Sequence, residues 1–317
     1  MSRIGLCVCA LACAAMLGCA QNALPIDSAP GPVIHLEDVD SFYKLYDATG
    51  GHPTADQLQH DYLDPGSDGL HNLAKLRNIT GVRIADTLTK HPEYYAGARR
   101  CTSVLPQVRA RLTVAFHKLS DLLPEAQFPP VTIVVGRGKP VGVADASGVM
   151  IGLEALCAVQ WMNPNLEDRF VHVIAHEYTH VQQALLSPVL YNKDKPTVLE
   201  TSLVEGAAEF TAELISGEIG NSNLKVSTKG HEKEIETAFV PDEDKTDLSS
   251  WLYNGSMEKP GDLGYWVGYR IVKSYYEHAH DKRQAFREIL QMSDAKAFIA
   301  KSGWHPGMEL QSPPPAP

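Results

Sequence analysis

The stretch that decides the fold is His176-Glu-Tyr-Thr-His180, followed 25 positions after its second histidine by Glu205-Gly-Ala-Ala-Glu209. Residues four apart on a helix lie one turn apart on one face, so both imidazoles can reach a single ion at about 2.1 Å. Glu177 sits one position round that helix and can face the same site without being a ligand. A catalytic zinc takes three protein ligands and keeps its fourth position open. His172 is a poor third ligand, because eight residues of helical rise, about 12 Å, separate it from His180. It reads as an ordinary buried or surface histidine. Glu205 is the better third ligand, since the intervening residues allow a turn and an antiparallel return. Gly206, Ala207 and Ala208 are small enough to let this second helix pack closely on the first. Glu209, one turn after Glu205, is placed to accept the outer N–H of a ligating imidazole, His176 on this reading. One Zn2+ ion held by His176, His180 and Glu205 is the expectation, although spacing alone leaves another divalent metal open.

The surrounding pattern supplies the helices this requires. Asn165 can cap a helix with Phe170, Val173, Ile174, Val181 and Leu185 on its apolar flank, ending near Pro188. Pro196 precedes a second helix, Val198 to Ser216, closed by Gly217. Upstream, Val108, Leu112, Ala115, Leu119 and Leu122 recur at helical spacing between Leu105 and Leu123, and Phe128-Pro-Pro130 stops that helix. Two strands follow, Val131 to Val135 and Gly148 to Leu153. The glycines flanking the second would let another backbone approach, as at a sheet edge beside an extended peptide; a β-bulge is the competing reading. Residues 35–126 read as mainly helical, and 217–262 as polar, acidic surface loops. Gly264 to His280, Lys282 to Gln291 and Asp294 to Lys301 return to helix. The expected class is α+β, mainly helical, with a small sheet.

The chain has 317 residues, with 28 Lys and Arg against 38 Asp and Glu, a net charge of -10. At 44% hydrophobic and 21% charged it is a globular composition, which excludes collagen, coiled coil and wholesale disorder. The acidic balance argues against a nucleic-acid partner. Four of six cysteines (Cys7, Cys9, Cys13, Cys19) fall in the first 19 residues, where Arg3 precedes an apolar run and then small residues, the anatomy of an export signal. Met16-Leu17-Gly18-Cys19 resembles the lipobox of bacterial lipoproteins, which implies cleavage before Cys19 and lipidation of that cysteine. Cys13 is a weaker rival. Ala20, where an Asp would favour inner-membrane retention, implies an outer-membrane lipoprotein facing the periplasm. The expected organisation is a signal at 1–18, a Pro-interrupted tether at 19–34, a domain at 35–305 (a helical part at 35–126 and a metal-site part at 127–305) and a Pro-rich tail at 306–317. Cys101 and Cys157 are left over in an oxidising compartment. They form either one disulfide, contributing roughly 4 kcal/mol by loop closure, or two separately buried thiols.

With Leu203-Val-Glu-Gly-Ala-Ala-Glu-Phe210 behind it, the HExxH stretch resembles the gluzincin branch of zinc metallopeptidases. Ser147-Gly-Val-Met-Ile-Gly-Leu-Glu154, Gly264-Tyr-Trp-Val-Gly-Tyr-Arg-Ile-Val272 and Phe298-Ile-Ala-Lys-Ser-Gly-Trp304 narrow the resemblance to a family of zinc-dependent proteases catalogued as a domain of unknown function. It covers roughly residues 100 to 305. The resemblance implies a zincin-like fold, Glu177 as general base, and an edge strand lining the cleft and aligning a peptide or protein substrate. Tyr265 fits a Tyr-x-x-Gly spacing near the oxyanion tyrosine of gluzincin aminopeptidases, although Val267 stands where a Lys is usual. Tyr269 and Arg270 are rivals, and a core role for these aromatics is as good a reading. Glu154 is a minor candidate for meeting a substrate amine. The expected activity is peptide-bond hydrolysis at the cell envelope. A non-catalytic lipoprotein with structural zinc, or a zinc amidase or esterase, is the alternative.

Overall fold

The computed structural model describes residues 32–255 and 261–310. The signal at 1–18, Cys19, all but the last three residues of the tether, and the tail from 311 lie outside the described residues.

The described chain is mainly helical and carries one four-stranded mixed sheet. Its strands are β1 (Ile34–His35), β2 (Val131–Val134), β3 (Gly142–Asp145) and β4 (Gly148–Gly152), in the order β1-β2-β4-β3. β2 runs parallel to β1 and β4, whereas β3 runs antiparallel to β4 with Val143 opposite Met150. This corrects the sequence reading of the edge. The Gly148 strand is interior, and the edge beside it is β3, which the sequence did not announce. The flanking glycines do admit other backbones, but both belong to this chain. A Cβ on Gly148 would lie 2.5 Å from the Pro130 carbonyl oxygen, and one on Gly152 would lie 2.5 Å from that of Pro140.

Two long helices carry the motif residues. The motif helix, Leu166–Leu186, starts where the Asn165 side chain accepts from the Asp168 N–H. The second, Val198–Ser216, opens on a capping box in which Thr197 and Glu200 satisfy each other's backbone N–H groups; it closes on Gly217 at φ 101°. The helix Leu263–His278 crosses this second helix so closely that a Cβ on Gly206 would lie 2.1 Å from the Gly268 carbonyl carbon. Gly206 therefore admits the Leu263–His278 helix, not the motif helix as its sequence context suggested.

Two apolar cores flank these helices. One runs unbroken across the expected boundary at 126, joining Phe42, Tyr62, Tyr95 and Leu112 to Val131, Ile133 and Ile174. The other gathers Leu203, Phe210, Trp266, Ile271 and Phe298. The Val198–Ser216 helix serves both, with Ala212 and Ile215 in the first and Leu203, Ala207 and Phe210 in the second. Its glutamates are thereby held rigidly at the seam. The described residues of 217–262 are more than surface loops: they include helices Asn223–Ser227 and Glu232–Phe239 and bury Leu224, Phe239, Trp251 and Leu252. Cys101 and Cys157 are joined by a disulfide, with Cα atoms 6.2 Å apart.

Candidate metal centre

His176 and His180 project from one face of the motif helix, and Glu205 faces them from the next long helix; all three are buried. The two Nε2 atoms are 3.1 Å apart, and Glu205 Oε2 lies 3.3 Å from the first and 3.1 Å from the second. Four donors at 2.0–2.1 Å in a tetrahedron stand about 3.3 Å from one another, so this triangle fits one face of a zinc coordination sphere. The chemistry of the set agrees with its size. Two imidazole nitrogens and a carboxylate oxygen converge with no Lys or Arg among them, an arrangement that needs a positive charge at its centre. Among the described residues this is the one group of three or more His, Cys, Asp and Glu arranged to hold a metal ion.

The family described as "Predicted Zn-dependent protease (DUF2268)" matches residues 113–299, more than half of the chain and all of this triangle. The chain belongs to that family. No curated protein and no solved structure matches it.

Two further side chains lie against the outer nitrogens of the imidazoles. His180 Nδ1 lies 2.7 Å from Gln183 Oε1, and the Gln183 amide donates to the Val204 carbonyl at 2.9 Å. That second bond turns the amide oxygen toward the ring, so Nδ1 is the atom that donates to it and Nε2 is the atom left facing His176 and Glu205. His176 Nδ1 faces Glu209 Oε1 at 3.4 Å, a charge contact looser than an aligned hydrogen bond. The other Glu209 oxygen accepts from the Asn221 N–H at 3.3 Å, and Gly220 packs against both residues. Glu209 thus lies beside His176, but the expected hydrogen bond from the outer N–H of that ring is not formed; Gln183, one turn past His180, was missed despite its spacing.

The carboxyls respond to this setting in opposite directions. Burial works to raise Glu205, but the His180 and His176 rings outweigh it and hold its pKa well below the usual range. Burial dominates at Glu177 and raises it, against the pull of the same two rings. Glu177 lies under the sheet edge: a Cβ on Gly142 of β3 would sit 2.4 Å from Glu177 Oε1. A side chain at that position would displace the carboxylate.

Of the tyrosines, Tyr265 stacks on the His176 ring with centroids 6.1 Å apart. Its rivals are engaged elsewhere: the Tyr269 hydroxyl donates to Glu213, and Arg270 pairs with the fully buried Glu236. Two tyrosines that sequence reasoning missed also reach the centre. The Tyr191 ring lies 5.5 Å from that of His180, and its hydroxyl donates to the Ala144 carbonyl of β3 at 2.8 Å. The Tyr253 hydroxyl donates to Glu205 Oε1 at 2.8 Å. Two weaker candidates are set aside. Glu154 is fully buried and clamps the Gly136 and Gly138 N–H groups at 2.9 Å, which leaves it no access to a substrate amine. His172 is outside the triangle; its Nδ1 lies 2.8 Å from Ser216 Oγ, and burial pushes its pKa down to about 4.

Proposed function

We propose that this chain is a zinc-dependent peptidase of the gluzincin type, with a zincin-like fold, working at the bacterial cell envelope and tethered there by lipid at Cys19. The observation that carries the reading is Glu177: a buried carboxylate beside the metal triangle that is not part of it. A structural zinc has no need of such a neighbour.

A bound zinc ion would supply Lewis-acid polarisation of a scissile carbonyl and of the attacking water. The chain's own groups do the rest. His176, His180 and Glu205 hold the ion, while Gln183 and Glu209 keep both Nε2 atoms turned toward it. Glu177 takes the water's proton and returns it to the leaving amine; the raised pKa of its buried carboxyl suits a group that must be protonated and deprotonated in one turnover. Tyr265, stacked on His176, is the oxyanion donor in this account. β3 is the edge along which an extended peptide would lie, its Gly142 beside Glu177 and its Ala144 carbonyl in the grip of Tyr191.

The test is Glu177→Gln, assayed for zinc content and for hydrolysis of a peptide library with the products identified. Zinc retained and hydrolysis lost is the expected pair of results. Undiminished hydrolysis in a zinc-retaining variant would sink the mechanism. A wild-type protein that holds zinc but cuts no peptide would favour the structural-zinc or non-peptide alternatives.

A further inference from the structure

Glu205 has two oxygens, and the triangle uses one. Oε2 is the atom within 3.3 Å of both imidazoles, while Oε1 accepts from the Tyr253 hydroxyl at 2.8 Å. A carboxylate beside a divalent cation can bind through one oxygen or chelate through both, and chelation would consume the open position that a hydrolytic site needs. Something must hold the second oxygen aside.

The segment carrying Tyr253 is constructed to hold that hydroxyl in place. Tyr253 has φ 56°, in the left-handed region that residues with a Cβ enter only when their surroundings impose it. Those surroundings are present. The Asn254 N–H donates to Asp262 Oδ1 at 3.0 Å, and the Asp262 N–H donates back to Asn254 Oδ1 at 2.7 Å, a reciprocal clamp directly after Tyr253. The Asn254 amide also donates to the Ser249 carbonyl at 3.0 Å. On the preceding side, Trp251 and Leu252 are buried, and the Trp251 indole donates to Asp242. The Tyr253 ring meets Tyr265 edge-on, with centroids 6.3 Å apart. Tyr253 as a residue is 64% exposed, so the hydroxyl contact is not a by-product of core packing.

The geometry points to Tyr253 as a positioning residue that fixes Glu205 as a one-oxygen metal ligand and so keeps the fourth coordination position free. The inference rests on the metal-site half of the proposed function and is independent of whether peptides are cut.

The experiment compares the wild-type protein with Tyr253→Phe and Tyr253→Gly. Zinc affinity is measured by chelator competition, and the visible absorption of the cobalt-substituted forms is recorded. Phe keeps the ring and removes only the hydroxyl; Gly tolerates the left-handed backbone, so backbone strain cannot explain its behaviour. Both variants are expected to bind zinc about tenfold or more weakly, as when other outer partners of metal ligands are removed. Their cobalt bands should lose intensity as Glu205 adds its second oxygen. A Phe variant with affinity within about twofold of wild type and an unchanged cobalt spectrum would overturn the inference and leave the peptidase reading standing. So would a loss confined to the Gly variant, which would assign the effect to the ring. A wild-type protein that takes up no metal would overturn both.

Discussion

Glu205 and Glu213 stand two turns apart on one helix and are equally buried, yet their charges are met in opposite ways. Glu213 is neutralised from within: Lys225 Nζ lies 2.7 Å from one oxygen, Lys273 Nζ 2.9 Å from the other, and the Tyr269 hydroxyl donates between them. Burial works to raise its pKa, and the two lysines reverse that and lower it. Glu205 is paired with histidines instead of lysines. It faces two imidazoles whose Nε2 atoms point at the same spot, and its second oxygen is closed by a neutral hydroxyl. The contrast separates a carboxylate held by two lysines from one held by two imidazoles and a hydroxyl, a set that could hold a metal ion. A buried carboxylate alone says little about function; the identity of its partners does.

The largest expected effect falls on the group that belongs to neither cluster. Glu177→Gln should cut peptide turnover by about a thousandfold or more, within the span for losing a general base, at unchanged zinc content; peptide assays and metal analysis read the two. Next, Glu213→Ala should destabilise the fold by about 3–5 kcal/mol in denaturant titrations, because it strands the buried Lys273 ammonium, while half-buried Lys225 keeps Glu218 and zinc affinity stays as in wild type. Glu205→Ala in metal-free protein should cost less, since the two imidazoles it leaves can give up their protons whereas a buried lysine holds its charge. Equal costs for the two would break the comparison.

A pH test is of similar size. His172 has its pKa depressed from 6.5 to about 4 by burial, so the unfolded chain binds the proton first. The stability this contributes, about 3 kcal/mol, is present above pH 6.5 and lost as pH falls toward 4. Metal-free wild type and His172→Asn should therefore differ in the slope of stability against pH across that window, with the variant flatter. The smallest effect belongs to Glu209→Gln. Its looser contact with His176 Nδ1 should weaken zinc binding by about 10- to 100-fold in chelator competition, without unfolding the chain.

Much of this site was legible because its spacing is local. His176 and His180 share a face by helical period alone. The Val198–Ser216 helix carries its own stop in Gly217, and its cap in Thr197 with Glu200. What was illegible depends on partners distant in the chain. Gly-Val-Ala-Asp at 142–145 is too short for a readable alternation and becomes an edge strand only by pairing with β4. Gly206 looked like a contact for the motif helix, whereas Gly268 of a third helix is what it admits. Tyr253 lay in a polar, acidic stretch that reads as surface; its role appears only when the Asn254 and Asp262 clamp turns its hydroxyl onto Glu205.

The central claim is that His176, His180 and Glu205 hold one zinc ion. Zinc-edge X-ray absorption on the purified protein, with metal analysis of the same sample, tests it most directly. One zinc per chain is expected, bound by two imidazole nitrogens and by oxygens at about 2.0–2.1 Å, with no sulfur. A sulfur neighbour at about 2.3 Å, or a folded protein that retains no zinc, would contradict it.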